Sequence, residues 1–159
     1  MQLTSVMPEV TFVVAMRTSC RFGMAVHVLA VLAYNEGDPV SSGRLAGSVN
    51  TNPVIIRRLL LSLKRARLVE TRRGAGAGSR LSRAPRRINL AEVYRAVEDA
   101  PAFATPHRRP NAACPIGSCI RETLHRIFTS AQDALLQNLE KITLAGVIDS
   151  CGCSRRQSG

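Results

Sequence analysis

The sequence feature that most constrains the fold is a basic helical segment followed at once by a glycine-rich hairpin. Asn52 and Pro53 form a strong helix start, because Asn is a favoured N-cap and Pro loses no hydrogen bond in the first turn. Apolar residues then recur at helical spacing up to about residue 66. After them, residues 68–72 and 80–83 read as two strands around a loop with three glycines, Gly74, Gly76 and Gly78.

The segments around this unit complete a known arrangement of helices. A short helix is predicted over residues 42–48, and the turn 49–51 joins it to the basic helix. Two helices around a tight turn, the second one basic, are typical of a helix-turn-helix. A hairpin directly after the second helix is its wing. With further amphipathic helices over 17–35 and 88–98, we predict a mainly α fold, a winged helix-turn-helix with a small β-hairpin wing.

The C-terminal part contains a long helix, predicted over residues 118–141. Its apolar residues step by three or four and form a narrow seam of the coiled-coil kind. A small winged domain cannot bury this seam alone, so we predict that the long C-terminal helix is a dimerisation helix in a homodimer. The predicted interface residues are Ile120, Leu124, Ile127, Ala131 and Leu135.

These segments divide the chain into five parts. We expect an N-terminal extension at 1–15, either disordered or the product of a mis-assigned start, a winged helix-turn-helix domain at 16–99, a proline-rich linker with cysteine at 100–117, the dimerisation helix and a short terminal helix at 118–148, and a flexible tail at 149–159.

The charge of the chain points to a polyanionic partner. The net charge is +11, and residues 57–87 hold eleven basic residues against one acid, Glu70. Such a concentration favours nucleic acid over a composition that is merely arginine-rich. No apolar run approaches the roughly 18 residues that span a bilayer, and no export signal is recognisable, so we expect a cytoplasmic protein without a membrane partner.

Several motifs resemble the Rrf2 family of bacterial winged-helix transcriptional regulators. They are RTSCRFGMAV at 17–26, NPVIIRRLL at 52–60, the wing at 69–81 and INLAEVYRAVE at 88–98; CPIG at 114–117 and TLAGV at 143–147 are similar to its YwnA-like branch. The resemblance covers residues 16–148 and implies a dimeric, sequence-specific DNA-binding regulator that is not an enzyme. It departs in the wing, where Ala77-Gly78-Ser79 stands in place of a Gly-Gly-aromatic motif.

In such a fold, the start of the second helix enters the major groove of double-stranded DNA and the wing lies on its backbone. Arginine can pair with guanine and asparagine with adenine. The residues that we predict to contact DNA are Arg44, Thr51, Asn52, Arg57, Arg58, Arg72, Arg73, Arg80 and Arg83.

The linker contains two cysteines, and the sequence does not decide whether they sense a signal. Cys114 and Cys119 are too few for an iron–sulfur cluster, which takes about four protein ligands, unless Cys151 or Cys153 contributes. We therefore expect no cofactor. The two cysteines are then either a thiol switch or inert. The alternatives to a redox-responsive repressor are a cluster-dependent sensor and a non-specific basic nucleic-acid-binding protein.

Overall fold

The computed structural model describes residues 20–35, 37–74 and 76–152, and the predicted mainly α winged helix-turn-helix fold is confirmed. The N-terminal extension at 1–15 and residues 153–159 of the predicted tail lie outside the described residues. The elements are α1 (Arg21–Tyr34), α2 (Ser42–Val49), α3 (Pro53–Arg65), β1 (Val69–Arg72), β2 (Gly78–Leu81), a 3₁₀ turn (Pro85–Arg87), α4 (Leu90–Val97), α5 (Ile120–Glu140) and α6 (Leu144–Ser150).

The core lies between α1, α2, α3 and α4. α3 buries the four apolar residues at its predicted spacing, Ile56, Leu59, Leu60 and Leu63. In α1 the prediction was wrong: of the stripe Phe22, Val26, Leu29, Ala30 and Ala33, only Leu29 is buried, and Ala25, Val28 and Leu32 are buried with it. We call the part of the molecule formed by α1 to α4 and the hairpin the head. Burying a leucine-sized side chain contributes about 1.5–3 kcal/mol, so this core is the main source of stability for the head. The largest fully buried side chains include Leu29, Leu32, Leu45, Ile56, Leu63, Leu68 and Ile88.

The turn between α2 and α3 depends on two asparagines. Asn50 ends α2 in the left-handed conformation, with φ of 56°, which asparagine tolerates better than most residues. Asn52 then caps α3, since its side-chain oxygen accepts a hydrogen bond from the backbone N–H of Val54 at 2.8 Å. The predicted start of the second helix at Asn52-Pro53 is therefore confirmed.

The wing is a two-stranded antiparallel sheet in which Val69 pairs with Leu81 and Arg72 with Gly78. Gly74 and Gly76 have positive φ and form the loop, as predicted. Gly78 does not belong to the loop, because the second strand begins there and not at Arg80. Val40 exchanges backbone hydrogen bonds of 2.8 and 2.9 Å with the buried Ser79, so a segment before α2 also pairs with the second strand.

A backbone pairing joins the C-terminal helices to the head. Residues 88–90 and 142–144 pair through Leu90 N–H to the Ile142 carbonyl and Leu144 N–H to the Ile88 carbonyl, both 2.9 Å. The same stretch caps both neighbouring helices: Asn89 forms a capping box with Glu92 at the start of α4, and Thr143 caps α6. α6 ends at Ser150, two residues into the predicted tail.

Only the C-terminal end of α5 packs on the head. Leu139 is buried with Leu90 and Ala91 of α4, and Leu135, which we placed in the dimer seam, packs against this cluster of its own chain. Further along, the seam is only partly covered: Ile127 is 54% exposed, and Ile120, Leu124 and Ala131 are half-buried. None of the described helices has both the length and the apolar character needed to cross a membrane.

The close approach of Gly78 to the chain before α2 generates a prediction. A Cβ at this position would lie 2.8 Å from the carbonyl carbon of Pro39 and 2.9 Å from that of Val40. We expect Gly78→Ala to lower the free energy of unfolding, measured in urea, by about 1–3 kcal/mol. Gly47→Ala is the control, since a Cβ there meets nothing within 4 Å and helix propensity should raise stability by about 0.5–1 kcal/mol. Equal stability of Gly78→Ala and the wild type would contradict the contact.

Candidate nucleic-acid interface

The solvent-facing side of α3 carries basic residues. Ile56, Leu59, Leu60 and Leu63 point into the core, so the residues between them face outwards. Arg57 and Arg58 are both exposed, as predicted for residues that contact DNA, and Lys64 lies two turns further along the same side. Four backbone N–H groups at the start of a helix lack helical partners and favour anions; here Asn52 occupies one of them.

A groove of about 460 Å³ separates α3 from the wing. Its cationic lining consists of Arg57 and Lys64 from the helix and Arg72 and Arg73 from the hairpin. None of the described residues that line it is acidic, so an anion placed there would meet positive charge from two sides. Three of the predicted DNA-contacting arginines, Arg57, Arg72 and Arg73, are thus brought together.

The two walls of the groove are joined by a hydrogen bond. Lys64 Nζ donates to Thr71 Oγ1 at 2.9 Å, which links the end of α3 to β1. Ser41 and Ser42 at the start of α2 add hydroxyl groups to the same lining. Sequence reasoning did not select Lys64, although it stands seven residues after Arg57, the spacing of two helical turns.

Three of the arginines predicted to contact DNA lie outside the groove, and each has a partner in its own chain. Arg44 lines a different cleft, and its guanidinium donates to Asn35 Oδ1 at 3.4 Å. Arg80 forms an ion pair of 2.6 Å with Glu70 across the hairpin, because these residues are register partners. Arg83 forms an ion pair of 2.7 Å with Glu92 of α4.

Apolar side chains also project from the exposed side of α3. Val54 and Ile55 are 44% and 42% exposed in its first turn, and Leu61 is 57% exposed in its middle. Exposed branched apolar residues beside a basic groove are suited to a partner that offers both charge and apolar groups, as DNA does through its phosphates and thymine methyl groups. The signal for them was visible in the sequence, since none of the three falls on the core stripe.

The predicted thiols lie in hydrogen-bonded turns that lead into α5. Ser118 N–H donates to the Cys114 carbonyl at 3.0 Å, and Ile120 N–H donates to the Ile116 carbonyl at 2.9 Å. Both cysteines are exposed. The Cys119 thiol donates to the carbonyl oxygens of Pro115 and Ile116, at 3.7 and 3.5 Å.

The linker before these turns also folds onto α5. The rings of Phe103 and Phe128 stack with centroids 5.5 Å apart, and Ala102 N–H donates to Gln132 Oε1 at 3.0 Å. The first residues of the linker are therefore held against α5.

Known proteins with this sequence pattern are transcriptional regulators. The model of a family named Rrf2, described as an iron-dependent transcriptional regulator, matches residues 18–150. YwnA of Bacillus subtilis, named as an HTH-type transcriptional regulator, is 37% identical over 129 residues, which cover 81% of this chain and 95% of that protein.

Solved structures agree with the sequence comparison. A structure named as a DNA-binding protein is 36% identical with a TM-score of 0.65, over 80% of this chain and 98% of its own. A transcriptional regulator from Lactobacillus plantarum is 26% identical with a TM-score of 0.71, over 84% of this chain and 90% of its own. These relatives are named as regulators or DNA-binding proteins, and none of them as an enzyme.

Because the family is described as iron-dependent, the side chains of this chain that could bind iron are relevant. Within residues 20–35, 37–74 and 76–152, no three or more His, Cys, Asp or Glu side chains come together as a metal site. An iron–sulfur cluster takes about four protein ligands, and the linker supplies only Cys114 and Cys119. The described residues therefore do not fit a cluster.

Proposed function

Because this chain belongs to the Rrf2 family of transcriptional regulators, as its motifs predicted, we propose that it is a sequence-specific DNA-binding repressor. It acts as a homodimer on the chromosome in the cytoplasm. Bound to promoter DNA, the dimer excludes the transcription machinery. The observation that carries the proposal is the groove between α3 and the wing, with four cations and no acid among the described residues of its lining.

In this proposal, the exposed side of α3 enters the major groove and the wing follows the adjacent backbone. Arg72 and Arg73 stand where the hairpin ends and bind phosphates, which give affinity without sequence information. Arg57 and Arg58 reach base edges, where arginine grips guanine with two hydrogen bonds. Val54 and Ile55 lie in the first turn of the same helix and contact thymine methyl groups.

Asn52 has a structural role in this proposal beside the DNA contact predicted for it. Its side-chain oxygen accepts a hydrogen bond from the backbone N–H of Val54, and that bond uses neither the second lone pair of the oxygen nor the Nδ2 donors. Asn52 holds the start of α3 in place, and Thr51 beside it is half-buried. Arg80 and Arg83 pair with carboxylates of their own chain and, in this proposal, stabilise the wing and its junction with α4.

The first test measures specific and non-specific binding of arginine variants. DNA selected by the wild-type protein from a random library serves as the operator, and scrambled DNA as the competitor. Arg73→Gln should weaken binding to both and reduce the slope of log affinity against log salt by about 0.9, the loss of one phosphate contact. Arg57→Gln should weaken operator binding by 1–3 kcal/mol, about 5- to 150-fold, and affect scrambled DNA much less.

Arg126→Gln is the matched control, because it removes the same charge from an exposed position on α5. It should leave both affinities close to those of the wild type. If selection yields no preferred sequence, or if Arg57→Gln and Arg126→Gln weaken binding equally, the protein is a non-specific basic binder and the proposal is wrong.

The homodimer is proposed on the partly covered seam of α5. Leu139 and Leu135 pack on the head, whereas Ile127 is 54% exposed and Ile120, Leu124 and Ala131 are half-buried along the same stripe. An exposed apolar stripe on a helix of 21 residues is suited to pairing with its copy. Two heads joined in this way can occupy half-sites about one helical turn apart.

A charge placed in the seam should separate the protomers. Ile127→Glu puts a carboxylate into the predicted apolar contact, so we expect a monomer by sedimentation velocity, together with weaker operator binding. Thr129→Glu carries the same charge on the opposite side of α5 and should remain a dimer. A dimeric Ile127→Glu variant would place the interface elsewhere.

The two linker thiols supply a proposed redox signal. Backbone hydrogen bonds from Ser118 N–H to the Cys114 carbonyl and from Cys119 N–H to the Ile116 carbonyl hold the two cysteines in successive turns. In this proposal, a Cys114–Cys119 disulfide disrupts these turns. A peroxide oxidises the Cys114 thiol to a sulfenic acid with release of water, and the Cys119 thiol then displaces a second water to form the disulfide.

Oxidation should consequently lower operator affinity. We expect peroxide treatment to weaken binding about 5- to 150-fold, the usual range of coupling between sites, and dithiothreitol to restore it. Cys114→Ser should bind DNA like the reduced wild type before and after treatment, while Cys20→Ser should respond like the wild type. Equal responses of all three proteins would leave a regulator without this switch.

A further inference from the structure

Helix α1 has a second apolar stripe that the core does not use. Ala25, Val28, Leu29 and Leu32 are buried in the core. Ala30 and Val31 are half-buried on another side, and Tyr34, one turn further, is 48% exposed. A helix that is apolar on more than one side is expected to be covered on each of them. Here Ile148 of α6 covers the second stripe only in part.

An open cleft remains between α1, α2 and α6. This α1–α6 cleft measures about 460 Å³, within the range of about 300–1,000 Å³ that is usual for small-molecule sites. Its apolar residues are Ala30, Val31, Val40 and Ile148. Such sites combine an apolar wall with a few polar groups that orient the ligand.

The polar groups of the cleft are basic or neutral. Arg44 and Ser48 project from one side of α2, and His27 Nε2 lies 3.2 Å from Ser48 Oγ. No acidic residue belongs to the described lining. The only partner that the described hydrogen bonds and ion pairs give the Arg44 side chain is the neutral amide oxygen of Asn35, at 3.4 Å. A guanidinium carries five N–H donors, so it retains the capacity to grip a carboxylate with two of them.

We propose that the α1–α6 cleft binds a small organic acid with an apolar body. The carboxylate pairs with Arg44, and the apolar body lies against the second stripe of α1 and Ile148. An organic cation is disfavoured by Arg44, and a neutral apolar molecule leaves the guanidinium without a charged partner. This also gives Arg44 a role that fits its position better than the DNA contact that we predicted from the sequence.

The cleft touches the parts of the head that hold the DNA-binding surface. Arg44 lies on α2, the first helix of the helix-turn-helix, and Val40 is bonded on its backbone to Ser79 of the wing. Ile148 belongs to α6, which follows directly on α5. An occupant therefore contacts the helix-turn-helix, the attachment of the wing and the C-terminal helices at once. On the basis of the proposed function, the acid is an effector that changes DNA affinity.

Direct binding is tested first, without DNA. Isothermal titration of the full chain uses octanoate and 2-naphthoate, an aliphatic and an aromatic acid, and the corresponding neutral amides. At least one acid should bind once per chain and about tenfold more tightly than its amide, the contribution of one charge-assisted interaction. Arg44→Gln should remove this difference, while Arg126→Gln should keep it.

A filled cleft is the second variant. Ile148→Phe adds volume inside the α1–α6 cleft and should weaken acid and amide alike, with the circular dichroism spectrum and unfolding transition retained. The proposal is overturned if none of the four compounds binds, if acid and amide bind equally, or if Arg44→Gln and Arg126→Gln behave alike.

The effect of the bound acid on operator affinity is measured separately. A saturating acid should change operator affinity of the wild type by about 5- to 150-fold. If the acid binds but operator affinity stays the same, the site stands and the effector role fails. If the protein prefers no DNA sequence at all, the proposed function fails while the titration result is unaffected.

Discussion

The orientation of α3 is the constraint on which the DNA-binding surface depends. Four apolar side chains on one side of this helix enter the core, and 3.6 residues per turn then decide which positions face outwards. Turning the helix by one residue, about 100°, would bury an arginine and expose a leucine. An unpaired buried charge costs several kcal/mol, so the alternative orientation is strongly disfavoured. The core thus positions Arg57 and Lys64 without any contact between these two residues.

The wing needs support from outside its own two strands. An isolated hairpin is marginal in water, and this one has only four residues in each strand. The pairing of Val40 with Ser79 adds a third segment, and the absence of a side chain at Gly78 lets the backbones approach. Lys64 ties the other strand to α3. The groove is therefore formed by elements that hold one another, and Arg72 and Arg73 have a fixed base from which to reach a phosphate.

Local signals in the sequence predicted the elements, and long-range packing decided what the sequence left open. The caps at Asn52 and Asn89 and the positive-φ glycines 74 and 76 act within a few residues, so they could be recognised directly. Gly78 differs because the residues that leave no room for a side chain there, Pro39 and Val40, lie nearly forty residues earlier in the chain. Arg80 and Arg83 were predicted to contact DNA from their residue type and their place beside the glycine loop, whereas hairpin register and the packing of α4 give each of them a carboxylate partner. Leu135 shared the spacing of the seam but meets the head, which periodicity cannot show.

The attachment between head and C-terminal helices explains how a signal could reach the DNA-binding surface. Residues 88–90 bond to residues 142–144, and the helices that start there, α4 and α6, both pack on the core. The N-terminal end of α5 follows the linker turns at 111–119, and its C-terminal end reaches this junction. The α1–α6 cleft borders the junction through Ile148 of α6. If a change at either place alters how α5 meets the head, then in a dimer joined through α5 it also alters the distance between the two α3 helices. Because half-sites on DNA are a fixed distance apart, a small change of that distance suffices to alter affinity.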